Sequence, residues 1–358
     1  MTTPPPPPET PEIIAATLRR LSPGYEATPL IDLPKLAAHL GVGGVLAKNE
    51  GQRMLGSFKS LGGTYAALRA LARAAGTDIA GMLATAKASA GRPTLLCASD
   101  GNHGLAVAAA ARLAGGAARV FLHSGVPPLR AERIAAQGAE IVWVNGTYDD
   151  AVDAAHAAAG AGQGILIADT SDDASDPVVA DVMAGYGVMA WEIMRQVEDA
   201  AHPRPTHLFV QAGVGGLAAA MVEALKPWLA PPAAVIVTEP EAAACIAASL
   251  ATDPPPRVPG GLDTVADMLA CGQASAVAMP ILRRHSARVV TLSEAALAAA
   301  PRLLSEQGGP ATTPSGAAGL AALAALMANP RDAAGYGLSA DSRVLILVTE
   351  AALDGQAT

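Results

Sequence analysis

An α/β fold built on buried parallel sheet is what this 358-residue sequence predicts. Two observations carry that prediction. Short apolar runs alternate with longer stretches of helical pattern along most of the chain, which is how βαβ crossovers read. The runs are rich in Val, Ile, Leu and Ala with few polar interruptions, as strands covered on both faces require. With 51% hydrophobic residues the chain can bury a large core, as one big domain or two closely packed ones.

Residues 4–8 are five consecutive prolines, which form neither helix nor ladder, so residues 1–20 are expected to be a disordered tail. From about residue 28 the alternation begins. VLAKNE is followed by SLGGTYAALRALARAAG, PTLLCASD by HGLAVAAAARLAGG, and ARVFLHS by PLRAERIAAQGA. EIVWVNG then precedes TYDDAVDAAHAAAG, THLFVQAG precedes GLAAAMVEALKPWL, and AAVIVTEP precedes EAAACIAASL. Pro- and Gly-rich loops at 253–261 and 308–310 interrupt the last third, and RVLILVTE at 343–350 reads as a final buried strand.

Composition narrows the function. A net charge of −8 with no basic face leaves nothing to displace counterions from nucleic acid, so no nucleic-acid partner is expected. The start MTTPPPPPETPE has neither the basic nor the apolar region of a signal peptide, and no apolar run spans a bilayer; a cytoplasmic protein without membrane contact is expected. Cys97, Cys245 and Cys271 are too far apart for a CxxC metal site, and no metal ligand is assigned. Free buried thiols and a Cys245–Cys271 pair both fit this spacing.

In open parallel sheets ligands sit beyond the carboxyl ends of the strands. Four such ends carry unusual residues. In QAGVGGLAAAM, glycines 213, 215 and 216 follow a strand and a helix starts at once, so backbone N–H groups and the helix N-terminus suit a phosphate. Gly213, Gly215 and Ala218, with Glu239 about twenty residues later, also satisfy a nicotinamide fingerprint, although that unit usually opens its fold and here some two hundred residues precede it. SDGNHG places Ser99, Asp100, Asn102 and His103 at one helix start. Ser99 or Asp100 can cap it; one cap does not explain four polar residues, and Asn102 can donate to a phenolate oxygen while Asp100 can serve as base or hold an amine. His103 reads as packing locally. The third end, GSFKSLGGTYA, sets Lys59 between Phe58 and Leu61, where an apolar surround favours the neutral amine. The fourth is Thr349, after RVLILV.

Together these loops resemble, in the same order, the fold-type II pyridoxal-phosphate enzymes: a Ser-Phe-Lys loop, a Ser-x-Gly-Asn-His loop, a Gly-rich loop after a strand, and a polar residue ending a late strand. The resemblance runs from Tyr25 to Thr349. It is similar in detail to the branch of ammonia-lyases acting on 2,3-diaminopropionate, through LGSFKSLGGTYA, SDGNHG, GTYDDAV at 146–152, DTS at 169–171, VMAGYGVMAWEI at 182–193, MLACG at 268–272 and VTE at 348–350. Asp172 stands where that branch commonly has tryptophan, and TPSGAAG at 313–319 looks like a dehydratase segment.

The resemblance implies two three-layer αβα domains, a large one of 21–75 with 168–358 and a small one of 76–167, with the active site in the cleft between them. It implies pyridoxal 5'-phosphate bound to Lys59 beside Phe58, its phosphate on Gly213, Val214, Gly215 and Gly216, its phenolic oxygen at Asn102 and its ring nitrogen at Thr349. Gly62 and Gly63 then read as room for the cofactor. The implied reaction is α,β-elimination of a small amino acid, 2,3-diaminopropionate, to pyruvate and ammonia, with Lys59 and Asp100 as catalytic groups, in a homodimer. A serine, threonine or hydroxyaspartate dehydratase is the neighbouring alternative, and a nicotinamide oxidoreductase the alternative from another class.

Overall fold

In the computed structural model, residues 9–22, 25–85, 91–99, 101–252 and 256–352 are described below. The described residues of Met1–Tyr25 and Lys59–Val188 make one compact unit, and those of Glu26–Phe58 and Met189–Thr358 make another.

The second unit is built on six strands in the order β1-β2-β10-β7-β8-β9. These are β1 (Leu30–Asp32), β2 (Gly44–Asn49), β7 (His207–Gln211), β8 (Ala234–Pro240), β9 (Arg288–Leu292) and β10 (Arg343–Val348). Only β1 runs antiparallel to its neighbour. The register sets Val348 against Asn49 and Gln211 against Thr238, so the loops that follow β2, β10, β7 and β8 leave from one edge of the sheet. β10 is central and buried along nearly its whole length because every position faces a helix or a strand. The helix Ala318–Met327, apolar all round, packs against β7 to β10, as such a helix must to escape water. Burying each Leu, Ile or Val of this core contributes roughly 1.5–3 kcal/mol.

The first unit carries four parallel strands in the order β5-β4-β3-β6: β3 (Leu95–Ala98), β4 (Ala118–His123), β5 (Glu140–Val144) and β6 (Ile165–Leu166). Helices Asn102–Leu113 and Tyr148–Gly160 each pack on both β3 and β4.

The α/β class with parallel strands is as the sequence reads, and each of the seven apolar runs named above is a strand. Three further strands went unread: β1 and β6 are too short to show a period, and β9 lies half exposed at an edge, so its sequence is not apolar enough. The tail expected over 1–20 is corrected for its second half. Pro11–Leu21 is a helix, started by a proline at its first position, with Glu12 near its N-terminus and Arg19 and Arg20 near its C-terminus; Ile14 and Leu18 are fully buried. Residues 1–8 lie outside the described residues. The unit limits also differ from 76 and 167. Helix Lys59–Ala74 is buried along most of its length and packs along helix Asn102–Leu113, which draws it into the unit of the smaller sheet.

Candidate functional site

In the first unit, Lys59 opens helix Lys59–Ala74 and its Nζ is hydrogen-bonded to Asp169 Oδ2. The lysine side chain is 22% exposed and the carboxylate 7%. Asp169 lies just beyond β6, and its other oxygen accepts a hydrogen bond of 3.1 Å from Tyr148 Oη. Tyr148 is set there by a reciprocal cap, in which Thr147 Oγ1 accepts from Asp150 N while Asp150 accepts from Thr147 N. Burial alone would raise the Asp169 pKa, but the charge of Lys59 and the hydrogen bonds from Lys59 and Tyr148 outweigh it and hold the carboxyl well below the usual range. The apolar surround expected for Lys59 is therefore incomplete: its partner is a carboxylate. Tyr186 lies near the same amine, its phenol pushed up to about 12 mainly by burial.

The glycines after Lys59 serve packing. A Cβ on Gly62 would lie 2.5 Å from Tyr186 Cε1, and one on Gly63 would lie 2.8 Å from Ala106 Cβ. They let helix Lys59–Ala74 approach Tyr186 and helix Asn102–Leu113, which corrects their reading as cofactor room.

In SDGNHG, Ser99 Oγ accepts from Gly101 N and Gly104 N, each at 2.8 Å, and so takes the capping role. Asn102 is the first residue of the helix, half-buried. His103 Nε2 lies 2.8 Å from Ile167 O and therefore carries the proton, and burial keeps the ring neutral; its partner lies 64 residues away, so the packing reaches beyond the local segment. Asp100 lies outside the described residues.

In the second unit, β7 ends at Gln211 and the chain turns through Gly213, Val214 and Gly215 into helix Gly216–Leu225. Gly215 has φ +96°, a conformation that excludes most side chains, and a Cβ there would meet Ile246 Cδ1 at 2.7 Å. A Cβ at Gly213 would meet Cys271 Sγ at 2.9 Å. Cys245 Sγ donates to Gly213 O at 3.3 Å, and Ser275 N to Val214 O at 2.9 Å. Cys97, Cys245 and Cys271 are buried, and no disulfide joins them.

Thr349, just past β10, is buried. Gln211 Nε2 donates to Thr349 Oγ1 at 3.1 Å and faces Ser315 O, Gly316 O and Leu347 O at 3.1–3.2 Å. Carbonyls only accept, so the amide must point its nitrogen there, and Thr349 keeps its own hydroxyl proton to donate elsewhere. Residues 56–58 zip onto the following segment: Phe58 N donates to Thr349 O at 3.1 Å, Ala351 N donates to Gly56 O at 2.9 Å, and Ser57 bridges Glu350. The backbone just before Lys59 is thus fixed to the backbone of Thr349.

The loop leading to Lys59 has a second anchor. Arg53 bonds Glu50 and Glu192 with two contacts each, at 2.6–2.9 Å, and Lys48 Nζ lies 2.7 Å from Glu192 Oε2 and from Thr28 O. All four charges are buried and every sign is matched. Leu55 is held at φ +70° in the turn closed by Gly56 N and Arg53 O.

Glu239, the acid of the nicotinamide fingerprint, is 0% exposed; both carboxyl oxygens lie 3.0 Å from Ile246 N and 3.3 Å from Ala247 N. Burial pushes its pKa up to about 8. A carboxyl turned inward to cap a helix is not available to a ribose, which removes that reading's main support.

These residues fit pyridoxal phosphate. The loop at 213–216 admits only glycines at its two tight points and opens a helix; Ser275, whose N–H holds that loop, keeps a buried hydroxyl without a partner among the described residues; Thr349 has a proton to give; and Lys59 is a partly exposed amine. The chain belongs to the family of pyridoxal-phosphate dependent enzymes, whose model matches residues 21–350. It is similar to the diaminopropionate ammonia-lyase of Salmonella typhimurium, at 34% identity over 92% of this chain and 86% of that protein. Its structure resembles the crystal structure of the Escherichia coli diaminopropionate ammonia-lyase in complex with D-serine (30% identity, TM-score 0.86, covering 96% of this chain and 89% of that one). It also resembles the crystal structure of the T.th. threonine deaminase (28% identity, TM-score 0.74, covering 97% and 99%).

Asp169, Tyr148, Gln211 and the buried ion network were not assigned from sequence. The rule that ligands gather at strand ends would have found Asp169, had β6 been long enough to recognise. Gln211, the last residue of β7, was passed over for the glycines after it. Among the described residues no helix is long and apolar enough to cross a membrane.

Proposed function

We propose that the chain is a carbon–nitrogen lyase that converts 2,3-diaminopropionate to pyruvate and ammonia by α,β-elimination. The observation that carries this reading is Asp169, a buried carboxylate kept ionised beside Lys59. A buried anion needs a cation, and once the lysine is committed to the cofactor a second ammonium on the substrate supplies one; a substrate hydroxyl does not. The names of the similar proteins point to the same substrate.

Bound pyridoxal phosphate withdraws electrons from the substrate's α-carbon. Gly213, Val214, Gly215 and Gly216 would hold its phosphate through backbone N–H groups and the positive end of helix Gly216–Leu225. Asn102 would donate to the phenolic oxygen, Phe58 would border the ring, and Thr349, oriented by Gln211, would offer its proton to the ring nitrogen. The Lys59 amine would take the α-proton of one isomer, and the β-ammonium, already protonated, would leave as neutral ammonia. Asp100 would take the α-proton of the other isomer. Asp169 holds the β-ammonium until the carbon–nitrogen bond breaks, and water then releases the second ammonia and pyruvate. The protein works as a cytoplasmic homodimer.

The test compares pyruvate release from both isomers of 2,3-diaminopropionate in wild type, Asp169→Asn and Asp100→Asn. Asp169→Asn is expected to lower kcat/KM at least 100-fold for both isomers, and Asp100→Asn to lower it for one isomer far more than for the other. Unchanged turnover in Asp169→Asn defeats the proposed role of that carboxylate.

A further inference from the structure

Glu239 is a fully buried acid without a charged partner among the described residues, where four backbone contacts, to Ile246 N and Ala247 N, face its carboxyl oxygens. Its burial penalty is the largest influence on it, and the two N–H groups only partly offset that penalty. Such a group persists where its geometry is needed. What it holds is the start of helix Cys245–Ala251. The first two residues of that helix press on the glycine loop. Cys245 Sγ donates to Gly213 O at 3.3 Å, and Ile246 Cδ1 occupies the space where a Cβ on Gly215 would stand. The acid sits on β8, the strand beside β7, so it ties the support of the loop to the same sheet that delivers the loop.

We propose that Glu239 is a positioning residue for the cofactor phosphate: by pinning Ile246 and Ala247 it fixes Cys245 and Ile246 under Gly213 and Gly215, and so sets the backbone N–H groups that receive the phosphate. The proposal rests on the reading of Gly213–Gly216 as the phosphate loop. Removing the carboxyl frees two buried N–H groups, lets the helix start move, and relaxes the loop without touching Lys59, Asn102 or Thr349.

The experiment uses holoenzyme of wild type, Glu239→Gln and Glu239→Leu, with Gly215→Val as the control for the loop itself. The phosphorus NMR signal of bound cofactor is recorded, and dissociation constants are measured for pyridoxal phosphate and for pyridoxal, which lacks the phosphate. Glu239→Leu is expected to weaken pyridoxal phosphate at least tenfold, to shift or broaden the phosphorus signal, and to leave pyridoxal within about twofold. Glu239→Gln, which keeps one acceptor oxygen, is expected to fall between, and it decides alone if the leucine variant does not fold. Wild-type affinity and signal in the Glu239 variants, or an equal loss for pyridoxal, overturns the proposal. If Gly215→Val also leaves phosphate affinity and signal unchanged, the phosphate-loop reading fails with it; if Gly215→Val weakens binding while the Glu239 variants do not, only the role of Glu239 is lost.

Discussion

Lys59 was legible as an odd amine in an apolar turn, but its partner was not, because Asp169 lies 110 residues away and meets it only through the fold. Two expectations belong to single residues. Lys59→Ala is expected to abolish covalent fixation of the cofactor by borohydride, read by mass spectrometry of the digested protein. Glu239 gives the second, with its sign set by a raised pKa. Between the ordinary carboxyl value near 4.5 and about 8, the unfolded chain is ionised while the native acid stays protonated, so the stability contributed by the neutral acid is fully present below the lower value and lost as pH rises through the upper one. Relative to Glu239→Gln, the melting temperature of wild type is expected to fall steadily from pH 5 to pH 8.5. A difference between the two that is constant with pH contradicts an acid neutral at pH 7.

The helix that starts at Lys59 owes its place to small residues. Gly62 leaves no room between its Cα and the Tyr186 ring, so Gly62→Ala forces a shift and is expected to cost about 1–3 kcal/mol, measured by denaturant midpoint. The loop before Lys59 depends on charge. Truncating Glu192 strips Lys48 and Arg53 of their shared anion inside the protein, and Glu192→Ala is expected to cost about 3–5 kcal/mol. Neither role is written locally. The sequence KNEGQRMLGSFK shows four charges and a turn, and only the long helix Pro177–Asp199, arriving with Glu192, turns three of them into one neutral cluster.

For the molecule as a whole, the parallel architecture followed from apolar runs and glycine punctuation, and the four loops at strand ends followed from the rule that ligands gather there. Those features are local in sequence. What stayed hidden is what needs two distant segments at once: the Asp169 partner, the Gln211 amide that orients Thr349, the inward turn of Glu239, and the assignment of helix Lys59–Ala74 to the unit of the smaller sheet. Ligand linkage adds a further expectation. Pyridoxal phosphate at one hundred times its dissociation constant is expected to stabilise the folded chain by about 2.7 kcal/mol, read as a rise in melting temperature that pyridoxal alone does not match. The most direct test is the rate of pyruvate or oxobutyrate release by the purified, cofactor-loaded protein from 2,3-diaminopropionate, serine and threonine, each as both isomers. A kcat/KM for 2,3-diaminopropionate at least tenfold above that of any hydroxyamino acid is the expected result; a hydroxyamino acid turned over faster, or no keto acid from the diamino substrate, would contradict it.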